Sequence, residues 1–302
     1  MSLINWYAYL FSCAVKSRLL NIKRPIMAGV KITHECNLKC LHCPFWGRKE
    51  KGLSFYKVKE AFNNLHKLGV RIVIIEGGEP FLWKDGAYTI EDIVKEAKRL
   101  FFCVGITTNG TFPLSVEPDV IWVSIDGLEE MHDRIRGKYF EKIMANLRDC
   151  PHTRVYAHVT INSLNWEQIP GLVAFLFSKV KGITVQFYYP YEGGEDRLFL
   201  PFSKRRIVLD NLIRMKNNGF PVANSYTCLE AMKDNSWKCH SWMIASVGPE
   251  GKITQGCYVK DKGEVSCEKC GFSAHTEISL AYSGAMEAIL TGNRLLGPNR
   301  RG

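Results

Sequence analysis

His34-Glu35-Cys36-Asn37-Leu38-Lys39-Cys40-Leu41-His42-Cys43 sets three cysteines at C-x3-C-x2-C spacing. The run before it, Ala28-Gly29-Val30-Lys31-Ile32-Thr33, reads as a short strand that feeds the cysteine loop. Three thiolates this close can converge on one metal centre. Structural zinc takes four ligands, so the loop alone does not complete a zinc site. Three thiolates with no nearby fourth suit an iron–sulfur cluster with one iron left open for a substrate or cofactor. A partial zinc site or a chance grouping is the alternative, but Cys-rich spacing in a chain without a secretory signal points to metal.

With the aromatic-type His42 before its last cysteine, the loop resembles the signature of the radical S-adenosylmethionine (SAM) superfamily. The resemblance implies that Cys36, Cys40 and Cys43 hold a 4Fe-4S cluster whose open iron chelates the amino and carboxylate groups of SAM. It further implies that one electron, from a flavodoxin- or ferredoxin-type donor, cleaves SAM to methionine and a 5′-deoxyadenosyl radical. That radical takes a hydrogen atom from the substrate. The chemistry belongs to the cofactor, and the protein supplies binding and orientation.

Length and composition agree with an enzyme. The chain has 302 residues, 46% of them hydrophobic, enough for one large α/β domain with a small appendage. Eleven cysteines cannot all pair within the chain, and the length argues against a disulfide scaffold. A reducing, cytoplasmic setting with metal-holding cysteines is expected, and no secretory signal opens the sequence. The charge is +10, with basic residues gathered at Lys16, Arg18, Lys23, Arg24, at Lys204-Arg205-Arg206, and at Arg294, Arg300, Arg301. No nucleic-acid module accompanies them, so they read as solvated faces and no nucleic-acid partner is expected.

Residues 4–15 are mostly apolar and are followed by basic residues, but the run falls short of the about 20 residues a membrane span needs. Trp6, Leu10, Cys13 and Ser17 share one helical face, with Tyr7, Phe11 and Ala14 beside it. Residues 1–27 are thus an amphipathic helix that either packs on the main domain or lies on the inner face of a membrane.

From residue 28 a strand–helix rhythm begins. Strands are predicted at 28–33, 70–75, 101–107, 120–125, 154–161 and 183–188. Helices are predicted at 54–68, 91–100, 140–147, 166–180 and 203–216, with a short crossing at 109–113. This is an α/β chain with a parallel sheet and right-handed crossovers. The family resemblance implies a partial (β/α)6 TIM-like barrel over 28–216, while periodicity alone also allows a doubly wound open sheet.

In such folds ligand chemistry gathers at the carboxyl ends of strands. Strand two ends in Glu76-Gly77-Gly78-Glu79-Pro80, where two glycines let backbone come close and Glu79 can accept from an ammonium. By resemblance, Gly77, Gly78, Glu79 and Pro80 form the motif that binds the SAM amino group. Asn109-Gly110 is a turn in its own right, and by resemblance its Thr-Asn-Gly stands beside SAM. Strand four ends Ser124-Ile125-Asp126-Gly127, followed by His132, Asp133, Arg134 and Arg136, similar to radical SAM enzymes with extra C-terminal clusters. The resemblance makes Ser124 a candidate for the SAM ribose or carboxylate and Arg136 for the carboxylate. It makes Asn162 a candidate for the ribose. Asp126 is a candidate for cofactor or substrate, and an ion pair of Asp133 with Arg134 or Arg136 is the plain alternative. Phe45 and Trp46 either flank the adenine or pack the loop. Gln186, Tyr188, Tyr189 and Tyr191 line a pocket or fill the core, with Gly193-Gly194 turning the chain.

After residue 217 the rhythm stops. Cys239, Cys257, Cys267 and Cys270 follow, with Cys228 just before them as a possible substitute ligand. A hairpin is predicted across 247–254. Four thiolates suffice for a fully ligated 4Fe-4S cluster or an all-cysteine zinc site. The C-x17-C-x9-C-x2-C arrangement resembles the SPASM auxiliary-cluster domain or its shortened Twitch form. No cysteine follows Cys270, which favours one auxiliary cluster in 217–302. Cys13, Cys103 and Cys150 read as ordinary thiols, 278–296 as one helix, and 297–302 as a tail.

The sequence thus points to a radical SAM enzyme. The N-terminal segment suggests a lipid or isoprenoid substrate at a membrane surface. The auxiliary cysteines suggest instead a ribosomally made peptide or protein. A small-molecule substrate stays open, as does a non-enzymatic metal scaffold, for which the strand-end motifs would have no use.

Overall fold

A computed structural model of the chain describes residues 3–48, 51–191, 196–260 and 262–297. The Gly193-Gly194 turn, the tail beyond 297 and the charges of Arg300 and Arg301 lie outside these residues. In chain order the elements are α1 Leu3–Leu19, β1 Met27–Lys31, α2 Phe55–Leu68, β2 Ile72–Glu76, α3 Ile90–Leu100, β3 Cys103–Thr108 and β4 Val120–Ser124. Then come α4 Glu129–Arg136, α5 Phe140–Arg148, β5 Val155–Ile161, α6 Ile169–Phe175, β6 Gly182–Phe187, α7 Phe202–Asn217 and α8 Tyr226–Ala231. The chain ends with β7 Ile244–Val247, β8 Ile253–Gln255, α9 Ser273–Tyr282 and α10 Met286–Leu296.

The local signals work as the sequence predicts. Ser54 caps α2 by accepting from the Lys57 amide at 3.3 Å, and Val58, Ala61, Phe62 and Leu65 bury its apolar face. At α3 the Thr89 amide donates to the Asp92 carboxylate at 2.9 Å, half of a capping box. Strands β1 to β6 pair in parallel, each with the next, through registers such as Met27↔Ile72 and Ile72↔Cys103. Their near-continuous apolar runs are buried by the helices outside, as parallel sheets require.

The sheet does not close into a full barrel. Its order is β6-β5-β4-β3-β2-β1-β7-β8, so β6 and β8 are its edges. Strand β7 pairs in parallel with β1, and β8 turns back antiparallel on β7. The predicted hairpin exists, and residues beyond 217 extend the same sheet that carries the cysteine loop. Three points differ from the sequence expectations. The 129–136 run, to which the sequence assigned no element, is a helix, α4. The 166–180 helix is a short 3-10 turn followed by α6. The last helix is two, α9 and α10, broken at Gly284, whose φ of +97° lies in the left-handed region that glycine tolerates.

Helix α1 packs across the amino ends of the strands. Trp6 is buried in one cluster with Ile72, Cys103, Val120, Tyr156 and Leu295, and four of these begin or nearly begin β2 to β5. Its opposite face leaves Phe11 72% exposed. The cysteine loop follows the carboxyl end of β1, at the other end of the sheet. No helix among the described residues is long and apolar enough to cross a membrane. Trp6→Ala should therefore destabilise the chain by about 3–5 kcal/mol. Phe11→Ala should change stability by no more than about 0.5 kcal/mol. Urea unfolding of both variants measures this, and equal effects would mean that α1 is not docked as described.

Candidate functional site: a thiol loop held by strand ends

The loop has almost no regular structure of its own, so its neighbours must fix it. The first holder is backbone. The amides of Gly78 and Glu79 donate to the carbonyls of Thr33 and Glu35, both at 2.8 Å. This contact is so close that side chains cannot enter. A Cβ on Gly77 would stand 2.5 Å from the Thr33 oxygen, and one on Gly78 would stand 2.5 Å from the His34 oxygen. Gly77 and Gly78 are thus required by the entry to the cysteine loop itself.

Glu79 is wholly buried. Its carboxylate accepts from Thr108 Oγ1 at 2.7 Å, the Asn109 amide at 2.7 Å and the Phe81 amide at 3.1 Å. Burial pushes its pKa up to about 7 against these donors. A carboxylate offers about four lone-pair sites, so one remains for a further donor such as an ammonium. Pro80 is buried and opens a short 3-10 turn behind it.

Asn109 is the second holder. Its Nδ2 donates to Asn37 Oδ1 at 2.9 Å and faces Cys36 Sγ at 3.9 Å, while its Oδ1 accepts from Thr111. Asn37 in turn donates to Thr111 Oγ1 at 2.9 Å. Asn37 carried no weight in the sequence, although an Asn beside a ligating cysteine is a signal in itself.

The third holder is an ion pair. Asp126 is fully buried at the end of β4. One of its oxygens accepts from Arg136 Nε at 2.5 Å, the other from the Thr160 amide at 2.7 Å. Arg136 also brings Nη1 to 3.9 Å from Cys40 Sγ, and the Ile135 carbonyl of the same helix accepts from the Leu41 amide at 2.9 Å. Asp126 therefore holds Arg136, and its carboxylate does not face an open site. The alternative, an ion pair of Asp133 with Arg134 or Arg136, does not form among the described residues; Asp133 instead accepts from the Tyr139 and Phe140 amides at the start of α5. His42 lies 3.7 Å from Asp126, and desolvation depresses its pKa to about 4, so the ring is neutral.

The other candidates divide. Ser124 is buried at the end of β4. Asn162 is buried and folds into its own turn, its Oδ1 accepting from the Leu164 amide at 2.9 Å. Phe45 packs against His34 and Tyr191, with ring centroids 6.4 and 5.4 Å away. Trp46 is partly exposed, with Lys39 over its ring. Sequence reasoning passed over Lys31, which is buried 3.3 Å from Glu76 and 5.1 and 5.2 Å from the rings of Phe45 and Tyr258. A lysine in a buried parallel strand was the available signal.

The thiols sense one another. Burial raises the pKa of Cys36, and pushes that of Cys40 up to about 12, with Arg136 opposing the shift and the neighbouring thiols adding to it. Cys239 likewise feels Cys270, Cys257 and Cys267, so the late cysteines form a second group. Cys228 is not part of it. It is fully buried among Ser273, Asn224 and Glu277, which removes it as a substitute ligand. Among the described residues no three His, Cys, Asp or Glu side chains gather tightly enough to hold a single metal ion. A 4Fe-4S cluster makes no such demand, because its thiolates bind different irons. Two groups of soft thiol donors fit that kind of centre.

Replacing Asp126 leaves a buried guanidinium unpaired. Asp126→Asn should cost about 3–5 kcal/mol at neutral pH, read by urea unfolding. Arg136 holds the Asp126 carboxyl below its ordinary value of 3.8 despite burial. Its stabilising contribution is thus complete above pH 3.8 and disappears only as pH falls through the lower folded value. A variant as stable as the parent at pH 7 would show that the pair does not organise the site.

The sequence model of the radical SAM superfamily matches residues 30–176. The chain is 27% identical over 223 residues to Fe-coproporphyrin III synthase of Methanosarcina barkeri, covering 66% of this chain and 54% of that protein. It is 26% identical over 182 residues to the sporulation killing factor maturation protein SkfB of Bacillus subtilis, covering 53% of this chain and 43% of that one. The chain thus spans about half the length of these relatives. In fold it resembles Streptococcus suis SuiB with S-adenosylmethionine bound, at TM-score 0.65 and 15% identity over 94% of this chain and 71% of that chain. SuiB with its precursor peptide SuiA gives 0.64. Residues 30–176 of this chain form a radical SAM superfamily domain, similar to that of relatives named as synthases.

Proposed function

We propose that the chain binds a 4Fe-4S cluster through Cys36, Cys40 and Cys43, binds SAM beside it, and takes a hydrogen atom from its substrate. The observation that carries this reading is the three-thiol loop at the end of β1, fixed by groups from the ends of β2, β3 and β4. When bound, the cluster and SAM together supply an organic radical by one-electron cleavage of SAM, the electron coming from a flavodoxin- or ferredoxin-type donor. The chain's own residues prepare the place. Asn109 and Arg136 bring N–H groups toward the sulfurs of Cys36 and Cys40, which favours their thiolate forms. Glu79, with one lone-pair site to spare, is the acceptor for the SAM ammonium, and Arg136 is the cation for its carboxylate. Ser124 and Asn162 are the polar groups for the ribose.

Cys239, Cys257, Cys267 and Cys270 hold a second 4Fe-4S cluster in this reading, in a Twitch-like extension. Their mutual electrostatic coupling supports it. The substrate is a ribosomally made peptide or protein, a reading supported by the likeness to SkfB and to SuiB. A lipid or isoprenoid substrate at a membrane surface is the weaker reading, since α1 packs its Trp6 face at the strand ends opposite the thiol loop, although Tyr7 and Phe11 stay exposed on its other face. A small-molecule substrate is favoured by one observation, the similarity to Fe-coproporphyrin III synthase.

Anaerobically reconstituted protein should carry about eight iron and eight sulfide per chain, and the chain lacking the four late cysteines about four of each. With dithionite and SAM it should release 5′-deoxyadenosine, and Cys40→Ala should release none. Continued release from that variant would sink the assignment. Mass spectrometry of peptides encoded beside the chain's own gene tests the substrate class. Unaltered peptides, with turnover raised by a porphyrin, would favour the small-molecule reading.

A further inference from the structure

Lys204-Arg205-Arg206 looks in sequence like a solvated basic patch. On a helix successive residues point about 100° apart, so the three cannot share one face. Arg205 turns inward from α7 and is 0% exposed. The rings of Phe187, Phe199 and Phe202 surround its guanidinium at 4.5, 4.9 and 4.8 Å. Among the described residues it forms no ion pair with a carboxylate. Its Nη1 donates to the Cys270 carbonyl at 2.7 Å, its Nη2 to the Lys269 carbonyl at 3.3 Å, and its Nε to the Leu200 carbonyl at 3.1 Å. Neutral donors would serve carbonyls as well. Burying a cation costs several kcal/mol unless an anion offsets it.

The same turn is gripped from two other sides. Asn235 Nδ2 donates to the carbonyls of Cys267, Glu268 and Cys270 at 3.3, 3.2 and 2.9 Å. The Tyr189 hydroxyl donates to the Glu264 carbonyl at 3.0 Å and accepts from the Ser266 amide at 2.8 Å. Three side chains from separate parts of the chain thus set the backbone that aims the sulfurs of Cys267 and Cys270. Arg205 lies close enough to Cys270 for each to favour the other's charged form.

We propose that Arg205 is a positioning residue of the C-terminal thiol site. With Asn235 and Tyr189 it fixes the Cys267–Cys270 turn through its carbonyls, and it supplies a fully buried positive charge that offsets an anionic iron–sulfur group on Cys239, Cys257, Cys267 and Cys270, with Lys262 as a further cation near Cys257. The inference rests on the second-cluster reading above. It assigns that centre a potential set partly by Arg205, because cluster potentials follow net local charge and hydrogen bonding.

The test uses the full chain with Cys36, Cys40 and Cys43 all changed to alanine, so that only the late site can bind a cluster. This parent should reconstitute about four iron and four sulfide and give an electron paramagnetic resonance signal on reduction. In potentiometric titration Arg205→Gln should disfavour the reduced form by about tenfold, a shift of about 59 mV to lower potential for a one-electron couple. Arg205→Lys should stay near the parent potential. Asn235→Ala, which keeps the charge, should lose iron while the remainder titrates like the parent. If Arg205→Gln keeps the parent potential, the inference is overturned while the cluster reading stands. Equal iron loss in Arg205→Gln and Arg205→Lys with unchanged potentials would likewise reduce Arg205 to packing. A parent that binds zinc or no iron would overturn both, and would show it before any Arg205 variant is made.

Discussion

The thiol loop between β1 and α2 cannot hold its own shape, and the structure is arranged around supplying that shape from outside. The tightest constraint is the contact between the Gly78 and Glu79 amides and the Thr33 and Glu35 carbonyls. It forces the end of β2 to pass within backbone distance of the loop entry, which only glycine permits at positions 77 and 78. From there the Glu79 carboxylate orders the Thr108-Asn109 turn, and Asn109 reaches back to Asn37 and Cys36. The motif at the end of one strand thus governs the motif at the end of the next. A parallel sheet makes this possible because all its strands deliver their carboxyl ends to one side.

The electrostatics give the loop a reason to bind something. Burial raises the thiols of Cys36 and Cys40, so without a metal they stay protonated near neutral pH. Metal binding must expel those protons, and its affinity therefore rises with pH. Arg136 lowers that cost at Cys40, and Asp126 in turn keeps Arg136 in place without presenting a charge to the open side. The late thiols repeat the scheme with different parts: a buried cation, Arg205, and a carbonyl clamp around the Cys267–Cys270 turn. The two groups belong to one sheet, because β7, which lies between Cys239 and Cys257, is paired to the β1 strand that carries the first loop.

Much of this was legible in the sequence, and the rest failed for identifiable reasons. Runs of β-branched residues and capped amphipathic helices located all six strands from β1 to β6, because a strand buried on both faces leaves a continuous apolar signature. The strand-end motifs were legible as positions, less so as roles. Asp126 looked like a group for cofactor or substrate and is a partner for Arg136, since only the fold brings β4 and α4 together. Arg205 was lost among three consecutive basic residues, where composition hides which one points inward. Cys228, a possible substitute ligand by its place just before the late cysteines, is fully buried in its own helix. The parallel pairing of β7 with β1 joins residues more than two hundred positions apart, and no local pattern announces it.

The central claim is that Cys36, Cys40 and Cys43 hold a cluster with one iron free of protein ligands. Mössbauer spectroscopy of chain reconstituted with iron-57, with the four late cysteines changed to alanine, addresses it most directly. The account predicts that adding SAM changes the isomer shift of about one iron in four, leaving the other three as they were. Four irons that stay alike with and without SAM would contradict it.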